Sequence, residues 1–132
     1  MLRLRLDNKL PAKHIAQLKQ AMEERDFHTF CEVTMRESNQ LHAICLDTIP
    51  AIFYMNQTSK NLVNMVRDIN ASQDDKQNIV AYSIDAGFHV FLFCMQENVQ
   101  MVKDKIAATP IITRNLENII ETSIDAHGIE PL

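Results

Sequence analysis

Asp85 closes an apolar run from Ile79 to Ile84 and is followed at once by Ala86 and Gly87. A carboxylate at the end of a strand of this kind loses solvation unless something compensates for it. Two small residues after it leave room for a ligand or another stretch of chain to approach the backbone. Such a group could accept a proton or orient a hydroxyl. Strand alternation sets Asp85 on one side with Ile79, Ala81 and Ser83, and sets Val80, Tyr82 and Ile84 on the other. Pattern alone favours a plainer alternative, an aspartate that ends a strand and bonds its own turn. A ligand-facing carboxylate is the other reading.

Ser38 and His42 are the next candidates. Phe27, Phe30, Cys31 and Thr34 share one side of a helix, and steps of four continue that side to Ser38 and His42. The stripe therefore turns polar halfway along. A back-bonded serine and a satisfied, partly buried imidazole account for this; a supporting shell for a site is the alternative. The 5 histidines show no metal-ligand spacing, and Asp74 and Asp75 lie in a polar stretch that reads as solvated. Cys31, Cys45 and Cys94 are far apart, form no CxxC pair, and read as reduced, packed thiols. With only 2 glycines, the chain has no glycine-rich phosphate loop.

The elements that would position these residues follow from periodicity. Leu2, Leu4 and Leu6 alternate with Arg3 and Arg5, which predicts a strand. Pro11 opens a helix carrying Ile15, Leu18 and Met22 on one face. Asp26 caps a second helix, and Thr58 or Ser59 caps a third through Leu62, Val66 and Ile69. Ile79 to Asp85 and Val90 to Met95 read as an antiparallel hairpin turning at Ala86-Gly87. A fourth helix through Val99, Val102 and Ile106 ends before Pro110, and Ile119 to Ile124 reads as a last strand. The order β-α-α-α-β-β-α-β predicts a single α+β domain over residues 1–132, an antiparallel four-stranded sheet with helices mainly on one face.

Composition narrows the function classes. A net charge of −4 with scattered Lys and Arg argues against nucleic acid and against an anionic membrane surface. No apolar run approaches the roughly 20 residues of a membrane helix. The alternating start is unlike a signal peptide, so the expectation is a cytoplasmic protein with no membrane partner.

Several motifs in order carry a resemblance. The runs Glu23 to Phe30, Thr34 to Ala43 and Cys45 to Thr48 come first; Pro50, Phe53 to Asn56 and Thr58-Ser59 follow, then Val80 to Gly87. Together these resemble the C-terminal domain of diphosphomevalonate decarboxylase, over about Leu2 to Pro110, with a looser likeness at Ile119 to Ile124. That family belongs to the superfamily of galactokinase, homoserine kinase, mevalonate kinase and phosphomevalonate kinase. The resemblance implies a ferredoxin-like domain. It also implies an ATP- and Mg²⁺-dependent enzyme that phosphorylates the tertiary hydroxyl of 5-diphosphomevalonate and then eliminates phosphate and CO₂. The product, isopentenyl diphosphate, serves isoprenoid and sterol biosynthesis. Asp85 matches the family's catalytic aspartate. Ser38, Asn39, His42, Ala86 and Gly87 match positions that support the substrate site. No metal ligand is implied within this chain, and a homodimer is compatible with the resemblance.

Two departures stand out. The family continues Asp-Ala-Gly with Pro-Asn, whereas this chain has Phe88-His89, and its final glycine-rich segment is reduced to the stretch from Asp125 to Gly128. The family's N-terminal half supplies the basic substrate anchors and the phosphate loop, and neither is found here. The expectation is therefore a catalytically incomplete domain that binds no nucleotide alone and needs that half as a partner. A stand-alone interaction domain derived from the family is the alternative, and another kinase of the superfamily fits less well.

Overall fold

The computed structural model describes residues 2–124. Helix α1 (Leu2–Asp7) leads into α2 (Leu10–Glu23), α3 (Phe27–Leu46) and α4 (Gln57–Ala71). Strands β1 (Val80–Ser83) and β2 (Phe91–Cys94) follow, then a 3₁₀ turn at Gln96–Asn98, α5 (Val99–Ala107) and α6 (Pro110–Thr113). The expected hairpin is present, antiparallel, with Val80 opposite Cys94 and Ser83 opposite Phe91.

The sheet has two strands among the described residues, not the four expected. Leu2 to Leu6 is helical rather than extended. Leucine and arginine are good helix formers, and the segment lacks the β-branched and aromatic residues that favour a pleated surface. Ile119 to Ile124 forms no ladder. It has little to bury, since Ile120 is 82% and Ile124 100% exposed. One side-chain contact ties it down, an ion pair between Glu121 and Lys103 of α5 at 2.9 Å.

The core lies on the Val80 and Tyr82 face of the hairpin, against Leu62, Met65, Val66 and Ile69 of α4, Val102 and Ile106 of α5, and Ile112. Helix α3 lies along the opposite face, where Phe30 meets Phe93 edge-on with ring centroids 5.9 Å apart. Helices thus cover both sides of the hairpin, and the expectation of helices mainly on one face does not hold. The reason is in α3, which presents Phe30 to one face of the hairpin and Met35 to the core on the other.

Two helix starts differ in instructive ways. Asp26 caps α3 as expected, accepting from the Thr29 N–H at 3.0 Å. The α4 cap is Asn56, whose side chain accepts from the Ser59 N–H at 2.8 Å, in place of Thr58 or Ser59. In α2 the buried residues are His14 and Ala21, while Ile15 and Met22 face outward at 55% and 66% exposure. That rotation is set by a polar contact of His14 described below.

Candidate active site

Position 84 explains how Asp85 is held. Ile84 is fully buried, and its backbone is gripped from α3. The Ile84 N–H donates to the Ser38 hydroxyl oxygen at 3.0 Å, and that hydroxyl in turn donates to the Ile84 carbonyl at 3.2 Å. The same carbonyl accepts from His42 Nε2 at 3.0 Å, which puts the imidazole proton on Nε2 when the ring is neutral. Tyr54 packs edge-on against that ring, with centroids 6.4 Å apart. The polar stretch of the α3 stripe is therefore a clamp on the buried residue that directly follows β1.

The far side of Asp85 is fixed as well. The Gly87 N–H donates to the Asp85 carbonyl at 2.9 Å, closing a tight turn. The Ser59 hydroxyl, in the first turn of α4, donates to the Phe88 carbonyl at 2.8 Å. Phe88 and His89 stack, with centroids 4.7 Å apart. A Cβ built on Gly87 would meet nothing nearer than His89 Nδ1 at 3.9 Å. Gly87 is thus not required by crowding within the described residues.

The Asp85 side chain opens onto a hollow of about 230 Å³ lined by Arg5, Glu37, Ser38, Leu41, Ile44, Ser83 and Asp85. Ser83 and Asp85 share the face expected from alternation. Asp85 is exposed, and its carboxylate takes no hydrogen bond or ion pair among the described residues. Glu37 is the opposite case. Arg5 grips it with both terminal nitrogens, Nη1 donating to Oε1 at 3.0 Å, and His14 Nδ1 donates to the same Oε1. Burial works against the charged form of Glu37, but the hydrogen bonds and charges of Arg5 and His14 outweigh it and hold its carboxyl below the ordinary 4.5.

The sequence model of the family described as mevalonate 5-diphosphate decarboxylase C-terminal domain matches residues 1–128. The chain belongs to that family. Among relatives of the mevalonate 5-diphosphate decarboxylase family, the diphosphomevalonate decarboxylase of Schizosaccharomyces pombe is 42% identical over 113 residues, 86% of this chain and 27% of that protein. The human diphosphomevalonate decarboxylase is 39% identical over 99 residues, 75% of this chain and 24% of that protein. The chain thus spans about a quarter of the length of the relatives it matches. A mevalonate 5-diphosphate decarboxylase crystal structure superposes with a TM-score of 0.67 at 28% identity, covering 96% of this chain and 36% of that one. The Trypanosoma brucei mevalonate diphosphate decarboxylase gives 0.69 at 25% identity, covering 83% and 34%. The Enterococcus faecalis enzyme, described for mevalonate diphosphate mediated ATP binding, gives 0.67 at 21% identity over 74% of this chain and 29% of that one, and shares the fold.

Within this family domain the structure brings Asp85 and Ser38 to one hollow. The other candidates stand around it. His42 lies behind Ile84, Ala86 and Gly87 form the turn, and Asn39 accepts from the Tyr82 hydroxyl at 3.0 Å without lining the hollow. Arg5, Glu37 and His14 were not singled out from the sequence. Arg5 and Glu37 are opposite charges 32 residues apart, with no local spacing to link them, and Arg5 read as the polar side of a strand.

Three free thiols match the sequence expectation. Burial first, then neighbouring Cys94, pushes the Cys31 thiol up to about 12. Among the described residues no three His, Cys, Asp or Glu side chains converge as metal ligands, and no helix is long and apolar enough to cross a membrane.

Proposed function

We propose that this domain supplies Asp85 to an ATP-dependent diphosphomevalonate decarboxylase, where its carboxylate accepts or orients the proton of the substrate's tertiary hydroxyl. One observation carries the reading. Asp85 has a free carboxylate on a hollow, while its backbone is held on both sides, by Ser38 and His42 through Ile84 and by Ser59 through Phe88. Rigid support of an unsatisfied acceptor is what a positioned general base requires. Ser38 shares the hollow and could meet the same substrate; His42, Asn39, Ala86 and Gly87 act as supports.

The chain's own residues do not fit a nucleotide. Gly87 is the one glycine among the described residues, and no cluster there suits a divalent ion. In this reading ATP and Mg²⁺ belong to the remaining length of the relatives, and no step on this chain is routed through them. An N-terminal half is then an obligatory partner, and the chain alone turns over no substrate.

The test is complementation. The chain mixed with a separately produced N-terminal half, ATP, Mg²⁺ and diphosphomevalonate should release isopentenyl diphosphate and CO₂. Asp85→Asn should lower the rate by about 10²–10⁴-fold, the range for losing a general base, with an unchanged circular dichroism spectrum. An Asp85→Asn mixture as active as the parent removes Asp85 from this role. A mixture in which both halves fold and bind but release no product favours a non-catalytic domain.

A further inference from the structure

Two carboxylates, Asp85 and Glu37, line one hollow of about 230 Å³. Like charges that share a hollow repel each other, the more strongly the less water lies between them. The structure separates them. Glu37 Oε1 accepts from Arg5 and from His14, and Oε2 accepts from the second Arg5 nitrogen. Gln40 takes a further Arg5 hydrogen bond through its side-chain oxygen and fixes the guanidinium from the next turn of α3. Asp85 has none of these partners.

We propose that Arg5 and Glu37 form a positioning pair whose charges cancel at the wall of the hollow, leaving Asp85 as the one carboxylate there free to take a proton from a substrate hydroxyl. The inference rests on the proposed role of Asp85. It adds that the site is built for a neutral hydroxyl: with Arg5 offset by Glu37, the lining keeps one net negative charge, which disfavours an anionic group in the hollow itself. It also assigns His14 its place, since Nδ1 takes a share of Glu37 Oε1 and completes the set of donors around it. Nothing in the pair touches the reacting atoms; it acts through the field at Asp85.

Arg5 of α1 and Glu37 of α3 line the hollow with Asp85, His14 of α2 bonds Glu37, His42 of α3 bonds the neighbouring Ile84 carbonyl, and His89 lies beside Gly87 in the turn. The experiment follows the Asp85 carboxyl by carbon-detected NMR titration in the 132-residue chain, without substrate, leaving all three histidines in place. Arg5→Gln should move the Asp85 midpoint up by roughly 0.5–1 pH unit, because Glu37 then faces it uncompensated. Glu37→Gln should move it down by a similar amount, because Arg5 then acts on it alone. The double variant should return it to within about 0.2 unit of the parent, as cancelling charges require. Midpoints that stay fixed, move in the same direction in both single variants, or fail to return in the double variant overturn the proposal. A variant that merely loosened α1 would not be rescued by removing its partner. In the complemented enzyme, the acid limb of kcat/KM should follow the same three shifts. A fully active Asp85→Asn would instead defeat the catalytic reading while leaving the NMR midpoints as they are.

Discussion

Ser38 satisfies both backbone polar groups of Ile84, and it does so where water does not reach. Ser38→Ala leaves a buried N–H without its acceptor, so the chain should lose about 1–3 kcal/mol of stability, read from the urea midpoint. Activity in the complemented enzyme should fall further than this loss explains, since Asp85 follows directly on the loosened residue. Cysteines give an independent check. With its thiol near 12 and its side chain fully buried, Cys31 should resist a thiol reagent at pH 8 until denaturant is added, while half-buried Cys94 reacts in the folded chain. Labelling followed by peptide mapping distinguishes the two. At this scale the sequence was informative in one respect: the α3 stripe turning polar at Ser38 and His42 did mark a special place. The partner of those side chains lies 46 and 42 residues further on, and such a pairing leaves no trace in local spacing.

Among the elements, the hairpin is held at both ends of β1 by helix side chains. Asn70 of α4 accepts from the Ile79 and Val80 N–H groups at 3.0 and 3.1 Å and donates to the Val80 carbonyl at 2.8 Å. Asn70→Ala strips three backbone groups of their partner at a buried position, and a loss of roughly 2–4 kcal/mol is expected in thermal or urea unfolding. Helix α1 is held more lightly. It buries no side chain, and its described side-chain anchors to α3 are Arg5 contacts with Glu37 and Gln40. Glu37 has a folded pKa below its ordinary 4.5, so its contribution is fully present above that value and lost as pH falls through the lower, folded one. Amide protection factors, corrected for intrinsic exchange rates, should therefore fall in α1 and the start of α2 as pH drops below about 4.5, with other helices retained. Arg5→Gln should show that lowered protection already at neutral pH. Helices α3 to α5 and the hairpin were legible because their apolar periods were clear, whereas in α2 the period gave the helix but not its buried face, since Ile15 and Met22 lie exposed. The ends were misread as strands because two-residue alternation in Leu2 to Leu6 ignored helix propensity, and because β-branched content at Ile119 to Ile124 does not supply a neighbouring strand.

For the molecule as a whole, the exposed apolar surface is the telling quantity. Phe53 is 76% exposed, Phe91 56%, Met95 47% and Phe93 39%, in addition to Ile49, Ile119, Ile120 and Ile124. Exposed apolar surface of this extent commonly marks a protein contact. Light scattering should find the isolated chain self-associating as concentration rises, and addition of the N-terminal half should replace that with a one-to-one complex. A chain that stays monomeric and binds no hydrophobic dye would show this surface to be indifferent. The sequence could not announce it: Phe91 and Phe93 read as a buried strand, yet both keep exposed ring surface.

Gly87 offers a way to gauge the proposed assembly. Its backbone is free of left-handed strain and a methyl group clears its nearest neighbour, so Gly87→Ala should leave the isolated chain's folding untouched. Any penalty that appears only on complementation must then come from a surface the chain does not itself contain. Substituting alanine, then serine, then valine at this position makes the residue a feeler gauge, reading how closely the proposed N-terminal half and substrate would seat against the turn beside Asp85.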